Sequence, residues 1–175
     1  MFVSSPLAQM NAVCLDQSLS LLDQIDTAAY IRTQPPAFSS GVGSHLRHAL
    51  DYYEGLFAGL RTGRIDYEAR TRDPRLEQDP RFAAEKIREI QASLLQIPAE
   101  TEGRELLVHV ENGTSQSGCA TTTLRRELDM LLGHTVHHYA LISVALKLQG
   151  IDPGEEFGVA PSTLRYLKSA APMTG

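Results

Sequence analysis

Six histidines occur in this chain, and five of them fall in two short stretches: His45 and His48, then His134, His137 and His138. His134 and His138 stand at i and i+4, the spacing that sets two imidazoles one turn apart on a single helix face. Leu131, Leu141 and Ala145 continue that stripe, so the pair is expected to face the interior of a helical bundle. His48 lies beside Ala49, Tyr52 and Leu56 on a second apolar-periodic stretch and is likewise expected to point inward. Three neutral imidazoles converging from two helices, with a fourth position open to water, are the donor set of a catalytic divalent-metal site. Taken singly, each of these histidines is equally well a hydrogen-bonded core side chain, and His45 or His137 would serve as well facing solvent.

The neighbouring residues narrow the chemistry. A His-Glu-x-x-His protease carries its general base beside the first histidine; Thr135 stands there, so zincin-type proteolysis is not expected. Three neutral ligands leave the +2 of a metal ion uncompensated, which favours hydroxide, a carboxylate or an anionic substrate. Asp51, three residues after His48, is expected to support a ligand from behind, whereas Glu54 and Glu127 read as ordinary surface or end-of-bundle acids. No catalytic residue is assigned. Gly41-Val42-Gly43 reads as a helix start, and no serine has a nucleophile-elbow context. Cys119 has two readings, a reactive thiol and the favoured small buried or strand-edge cysteine. The arginines at 61, 64, 70, 72 and 75 also have two, an anion-binding set and the favoured solvated loop, since they alternate with acids.

These residues need helices to carry them. Apolar steps of three, four and seven from Pro6 to Arg32 predict one long amphipathic helix, ended by Pro35-Pro36. Ser39-Ser40-Gly41 supplies N-cap chemistry for a second helix, running to about Leu60 and closed by Thr62-Gly63. Residues 64–79 read as a solvated connection. Pro80 suits the first turn of a third helix over Arg81–Ile97. A weak alternation over Leu106–Glu111, followed by Asn112-Gly113, predicts a small β-hairpin returning through TSQSGC. A fourth helix is expected over Thr122–Leu148, and a short one near Pro161 capped by Ser162. The economical architecture is an all-α four-helix bundle with a small hairpin between helices three and four.

Composition bounds the rest. The chain has 175 residues, 42% hydrophobic and 21% charged, enough for one domain, 1–175, with a real core. Sixteen basic against twenty-one acidic residues give a net charge of −5, which opposes nucleic acid or an anionic membrane as partner. The longest largely apolar run, Tyr139–Leu146, is far short of the ~18–20 residues of a membrane span. The segment MFVSSPLAQMNAV lacks a basic flank, so no signal peptide is expected. Cys14 and Cys119 share no close spacing and are expected as free thiols in a reducing cytoplasm.

The segments SHLRHALDYYEGLF (44–57) and LGHTVHHYALISVALKLQG (132–150) resemble the two hallmark helices of the DinB/YfiT-like superfamily. The resemblance covers most of residues 7–150, and FGVAPSTLRYL (157–167) is similar to the tail of one of its subgroups. It implies an up-up-down-down four-helix bundle, a homodimer, and a divalent ion held by His48, His134 and His138, with His45 and His137 as neighbours. Zn²⁺ or Ni²⁺ is the foremost expected ion, with Fe, Co or Mn as other occupants. It further implies a small-molecule substrate and a metal-dependent hydrolase or thiol-dependent transferase. The other reading of the same residues is a non-catalytic bundle that binds a metal or a small ligand.

Overall fold

The structure is a computed structural model whose described residues are 3–110 and 118–170. The helix expected over 6–32 is two helices, α1 (Pro6–Leu22) and α2 (Thr27–Ile31). Ser5 caps α1 by accepting from the Ala8 amide. The break follows from Asp26, whose carboxylate accepts from the Ala29 amide and begins α2 afresh. A short acidic side chain satisfies the backbone better as a cap than within a helix. Helix α3 (Val42–Thr62) ends on Gly63 at φ 77°, a left-handed C-terminal residue that only glycine adopts cheaply.

The stretch 64–79 is more than the solvated connection expected of it. It holds β1 (Arg64–Ile65) and α4 (Arg75–Gln78). Helix α5 (Pro80–Leu95) is capped by Asp79, and a 3₁₀ turn (Ala99–Thr101) leads to β2 (Glu105–Val110). Strand β3 (Gly118–Thr123) pairs antiparallel with β2 and runs straight into α6 (Leu124–Leu148), capped by Thr123. The expected hairpin is thus part of a three-stranded sheet, with β1 parallel to β2. A two-residue strand has no periodicity to read. The Asn112-Gly113 turn and the first part of the return strand lie outside the described residues. The tail helix α7 (Pro161–Ala170) includes Ser162 within its first turn instead of using it as the cap.

Helix α1 packs on α5 and α6, and α3 packs on the same two. The sheet end gathers the start of α1, the end of α5 and the start of α6, through Ser5 N to Ile97 O (2.8 Å) and Arg125 N to Glu102 O (2.8 Å). The end of α3 joins them where Leu107 N donates to Gly63 O (3.0 Å). At the opposite end, the Tyr30 hydroxyl donates to Leu76 O and Gln149 Nε2 to Ala29 O. The helices therefore run up-down-down-up, not up-up-down-down as the resemblance implies. The cause is the crossover after β1. Residues 66–74 at ~3.3 Å each reach back about 30 Å, the length of the 21-residue α3 at ~1.5 Å per residue.

A buried polar ladder fixes the rotation of three helices. Asn11 Nδ2 donates to Leu128 O, and the Tyr53 hydroxyl donates to Asn11 Oδ1 (2.8 Å). That hydroxyl also lies 2.9 Å from Thr135 Oγ1. Leu50, Leu56, Leu128, Leu131 and Ile142 complete the core around it. Among the described residues, no helix is long and apolar enough to cross a membrane.

Gly43 shows how tightly α3 is seated on α4. A Cβ there would lie 2.3 Å from Glu77 O and 2.6 Å from the Tyr30 ring. Gly43→Ala is therefore expected to destabilise the fold by about 1–3 kcal/mol. Urea denaturation at neutral pH checks this, and an unchanged midpoint would show that α4 yields freely.

Candidate metal centre

Helix α3 carries His45, His48 and Tyr52 along one flank of its buried stripe, and α6 carries His134 and His138 along the flank that faces it. All five side chains are half-buried. The histidine pair lies at the edge of the core, because Thr135 and Tyr139 take the centre of the α6 stripe. Since α3 and α6 run in opposite directions, His45 meets His138 while His48 meets both α6 ligand candidates. The His48 ring centroid is 5.1 Å from that of His134 and 4.6 Å from that of His138.

One ring nitrogen from each of His48, His134 and His138 lies within 4.8 Å of the others. The Nε2 atoms of His134 and His138 are 3.2 Å apart. Two nitrogens that each lie ~2.0–2.1 Å from a tetrahedral ion are separated by about 3.3 Å, so this pair already has a chelating span. Burial, and then the neighbouring His48, His137 and Arg70, push His134 down to about 4. Burial and the neighbouring histidines push His138 down to about 3. His48 is also lowered, first by burial and then by Arg70. All three rings are therefore neutral near pH 7, the form a divalent ion requires. The buried Nδ1 of His134 has no hydrogen-bond partner, so stacking on Tyr52, and not a hydrogen bond from behind, orients that ring.

Other side chains fix the rings. His45 Nδ1 lies 3.2 Å from His138 Nδ1, and Arg70 Nη1 lies 2.7 Å from His48 Nδ1. Tyr52 stacks on His134 at 4.1 Å and on Tyr67 at 4.9 Å. The Tyr67 hydroxyl donates to Glu127 Oε2 (2.8 Å), and Thr122 Oγ1 donates to Glu127 Oε1 (2.6 Å). Glu127 is thus a buried anchor at the start of α6 and not the ordinary acid expected there. Its two oxygens are satisfied by hydroxyls, which is what makes the burial tolerable.

Asp51 departs from its expected role. Its carboxylate pairs with Arg47 at 2.8 Å, and Arg47 in turn bonds Glu77 of α4. No hydrogen bond joins Asp51 to a histidine among the described residues. Burial raises its pKa and Arg47 opposes that rise, so it serves the α3–α4 joint. Glu54 pairs with Lys86 of α5, as an outward acid would. His137 is exposed. Both cysteines are free. Burial pushes the Cys14 thiol up to about 12, and Cys119 is exposed on β3, 3.5 Å from Arg64 Nη2.

Sequence reasoning missed Tyr67, the tether from His45 and the contact of Arg70 with His48. Arg70 stands in an alternating-charge loop, and nothing local to it marks a contact with His48 across the fold. A cavity of about 1100 Å³ lies between α1 and residues 153–164, lined by Met10, Val13 and Phe157 among others and by none of the histidines.

A family model described as the DinB superfamily matches residues 12–142, a span that includes His45, His48, His134 and His138. No curated protein and no solved structure matches the chain.

Proposed function

From its membership of the DinB superfamily, to which the chain belongs, we propose that it holds one divalent ion through His48, His134 and His138 and is a metal-dependent enzyme acting on a small molecule. The observation that carries this reading is the meeting of three neutral rings within 4.8 Å with no carboxylate bonded to any of them among the described residues. That donor set leaves a coordination position for water or substrate. A bound ion would lower the pKa of water or a substrate thiol toward neutrality and polarise an electrophile, which fits hydrolysis or thiol-dependent transfer. The chain supplies orientation: Tyr52 stacked on His134 and His45 against His138 hold two rings at the angle in which they are found. Zn²⁺ and Ni²⁺ are the ions this imidazole set favours, with supply deciding between them.

The test is metal content of untagged protein, followed by chelation, add-back and a screen of hydrolytic and thiol-transfer substrates. About one ion per chain is expected, with activity lost on chelation and restored by Zn²⁺ or Ni²⁺. A wild-type chain that neither retains nor takes up either ion would end this reading. The lack of a bonded carboxylate, and so of an evident general base, favours a second reading in which the ion or a small ligand is bound without turnover. Unchanged Co²⁺ absorption on addition of a small thiol or azide would support that second reading, since it signals no exchangeable position.

A further inference from the structure

The hydrogen bond between Arg70 and His48 and a metal ion on His48 exclude each other. A guanidinium has only donors, so at 2.7 Å from Arg70 Nη1 the His48 Nδ1 must accept with its lone pair, and the ring proton sits on Nε2. If an ion takes the Nε2 lone pair, the proton moves to Nδ1 and faces the Arg70 donor. If an ion takes Nδ1, at ~2.0–2.1 Å it occupies the space that Nη1 fills. An imidazolate that served both would need the second ring proton removed, far above neutral pH. Loading the site therefore displaces the guanidinium.

A displaced Arg70 stays close. Its Nη2 is 3.2 Å from Glu68 Oε2, its backbone amide bonds Glu68 O, and its guanidinium carbon lies 5.7 Å from the Tyr52 ring centroid. Its side chain is only 12% exposed, and Nε is buried with no partner. Once Nη1 leaves His48, two desolvated donors are unsatisfied beside the ion. Among the described residues no carboxylate bonds any of the three rings, and Glu68 holds only Nη2, so Nη1 and Nε beside the ion call for an anionic acceptor from outside.

We propose that Arg70 is the oxyanion-holding residue of this site: it caps His48 while the site is metal-free and, when an ion displaces it, binds a carboxylate or phosphoryl group of the substrate beside the ion. This rests on the metal-site reading above and gives its substrate a class. Small anionic molecules are selected over neutral ones, and the anion and the ion strengthen each other's binding.

The test is Co²⁺ affinity of the full chain, by competition with a chromophoric chelator, for wild type, Arg70→Ala and Arg70→Lys. Each is measured in an inert buffer, with sodium acetate, and with inorganic phosphate. Without anion, Arg70→Ala is expected to bind Co²⁺ roughly 10-fold more tightly than wild type, because no charged hydrogen bond must be broken. Acetate or phosphate is expected to tighten Co²⁺ binding by wild type several-fold more than by Arg70→Ala, with Arg70→Lys between them. The anion giving the larger gain tells a carboxylate from a phosphoryl ligand. Circular dichroism checks folding, and Arg70→Gln replaces the alanine variant if that one unfolds. Equal Co²⁺ affinities and equal anion gains, at one ion per chain, would overturn the role of Arg70 and leave the metal site standing. Absence of Co²⁺ binding in every chain would overturn the site and this inference with it.

Discussion

Replacing His138 with alanine is expected to leave the bundle folded and to cost it its metal. His138 is the hub of the cluster: its Nε2 is 3.2 Å from that of His134, its Nδ1 is 3.2 Å from that of His45, and its ring is 4.6 Å from that of His48. Structural zinc sites in small domains bind with ~10–16 kcal/mol over four ligands, so one ligand is worth on the order of 3–4 kcal/mol, or roughly 100- to 1000-fold in affinity. Chelator competition and metal analysis after dialysis measure that loss. His137→Ala, at an exposed position, is expected to keep its ion. His45→Ala is expected to fall between, with a 10–100-fold loss of the kind seen when a ligand loses its orienting partner. A His138→Ala chain that binds Zn²⁺ as tightly as wild type would show that His138 is not a ligand.

The metal-free protein is expected to be acid-sensitive well above the range of its carboxylates. His134 and His138 sit near 4 and near 3 in the folded state, against about 6.5 in an unfolded chain. Below pH 6.5 the unfolded chain therefore binds more protons than the folded one, and stability falls as pH drops from about 6.5 toward about 4 for His134 and about 3 for His138. From pH 7 to pH 5, each ring accounts for about 2 kcal/mol. Solvent screening of half-buried rings reduces the combined loss to on the order of 3 kcal/mol, a large share of the ~5–15 kcal/mol that holds such a domain together. Urea denaturation of the chelated protein at pH 7 and pH 5 reads the effect. The double variant His134→Ala/His138→Ala is expected to lose most of it, and equal stability of wild type at both pH values would place the two rings in solvent. Added Zn²⁺ is expected to restore stability at pH 7 far more than at pH 5, since protons and metal compete for the same lone pairs.

The features legible in the chain are those written in local periodicity. The i, i+4 histidines, the apolar stripes of α3 and α6, the Pro80 start of α5 and the Gly63 stop of α3 are each set by neighbours within a turn or two. Such patterns determine which face of a helix is buried and where the helix ends. The same locality explains the misreadings. The apolar steps run through Asp26 without interruption, so the break between α1 and α2 was hidden until its carboxylate was seen accepting from the Ala29 amide. Glu127 looks like any first-turn acid until Tyr67 is brought to it from 60 residues away.

By itself, then, the sequence determined that this is a largely helical DinB-type chain and that three of its histidines are candidates for one ion. Tertiary structure alone decided the direction of the helices, because a crossover after β1 can return in either sense until the strand pairs with β2. It also decided which polar groups stand behind the rings. Arg70 reaches His48 from a loop 22 residues away, and His45 reaches His138 from 93 residues away. Hydrogen bonds of that kind depend on distance in space and on donor–acceptor complementarity, and neither leaves a periodic mark along a chain.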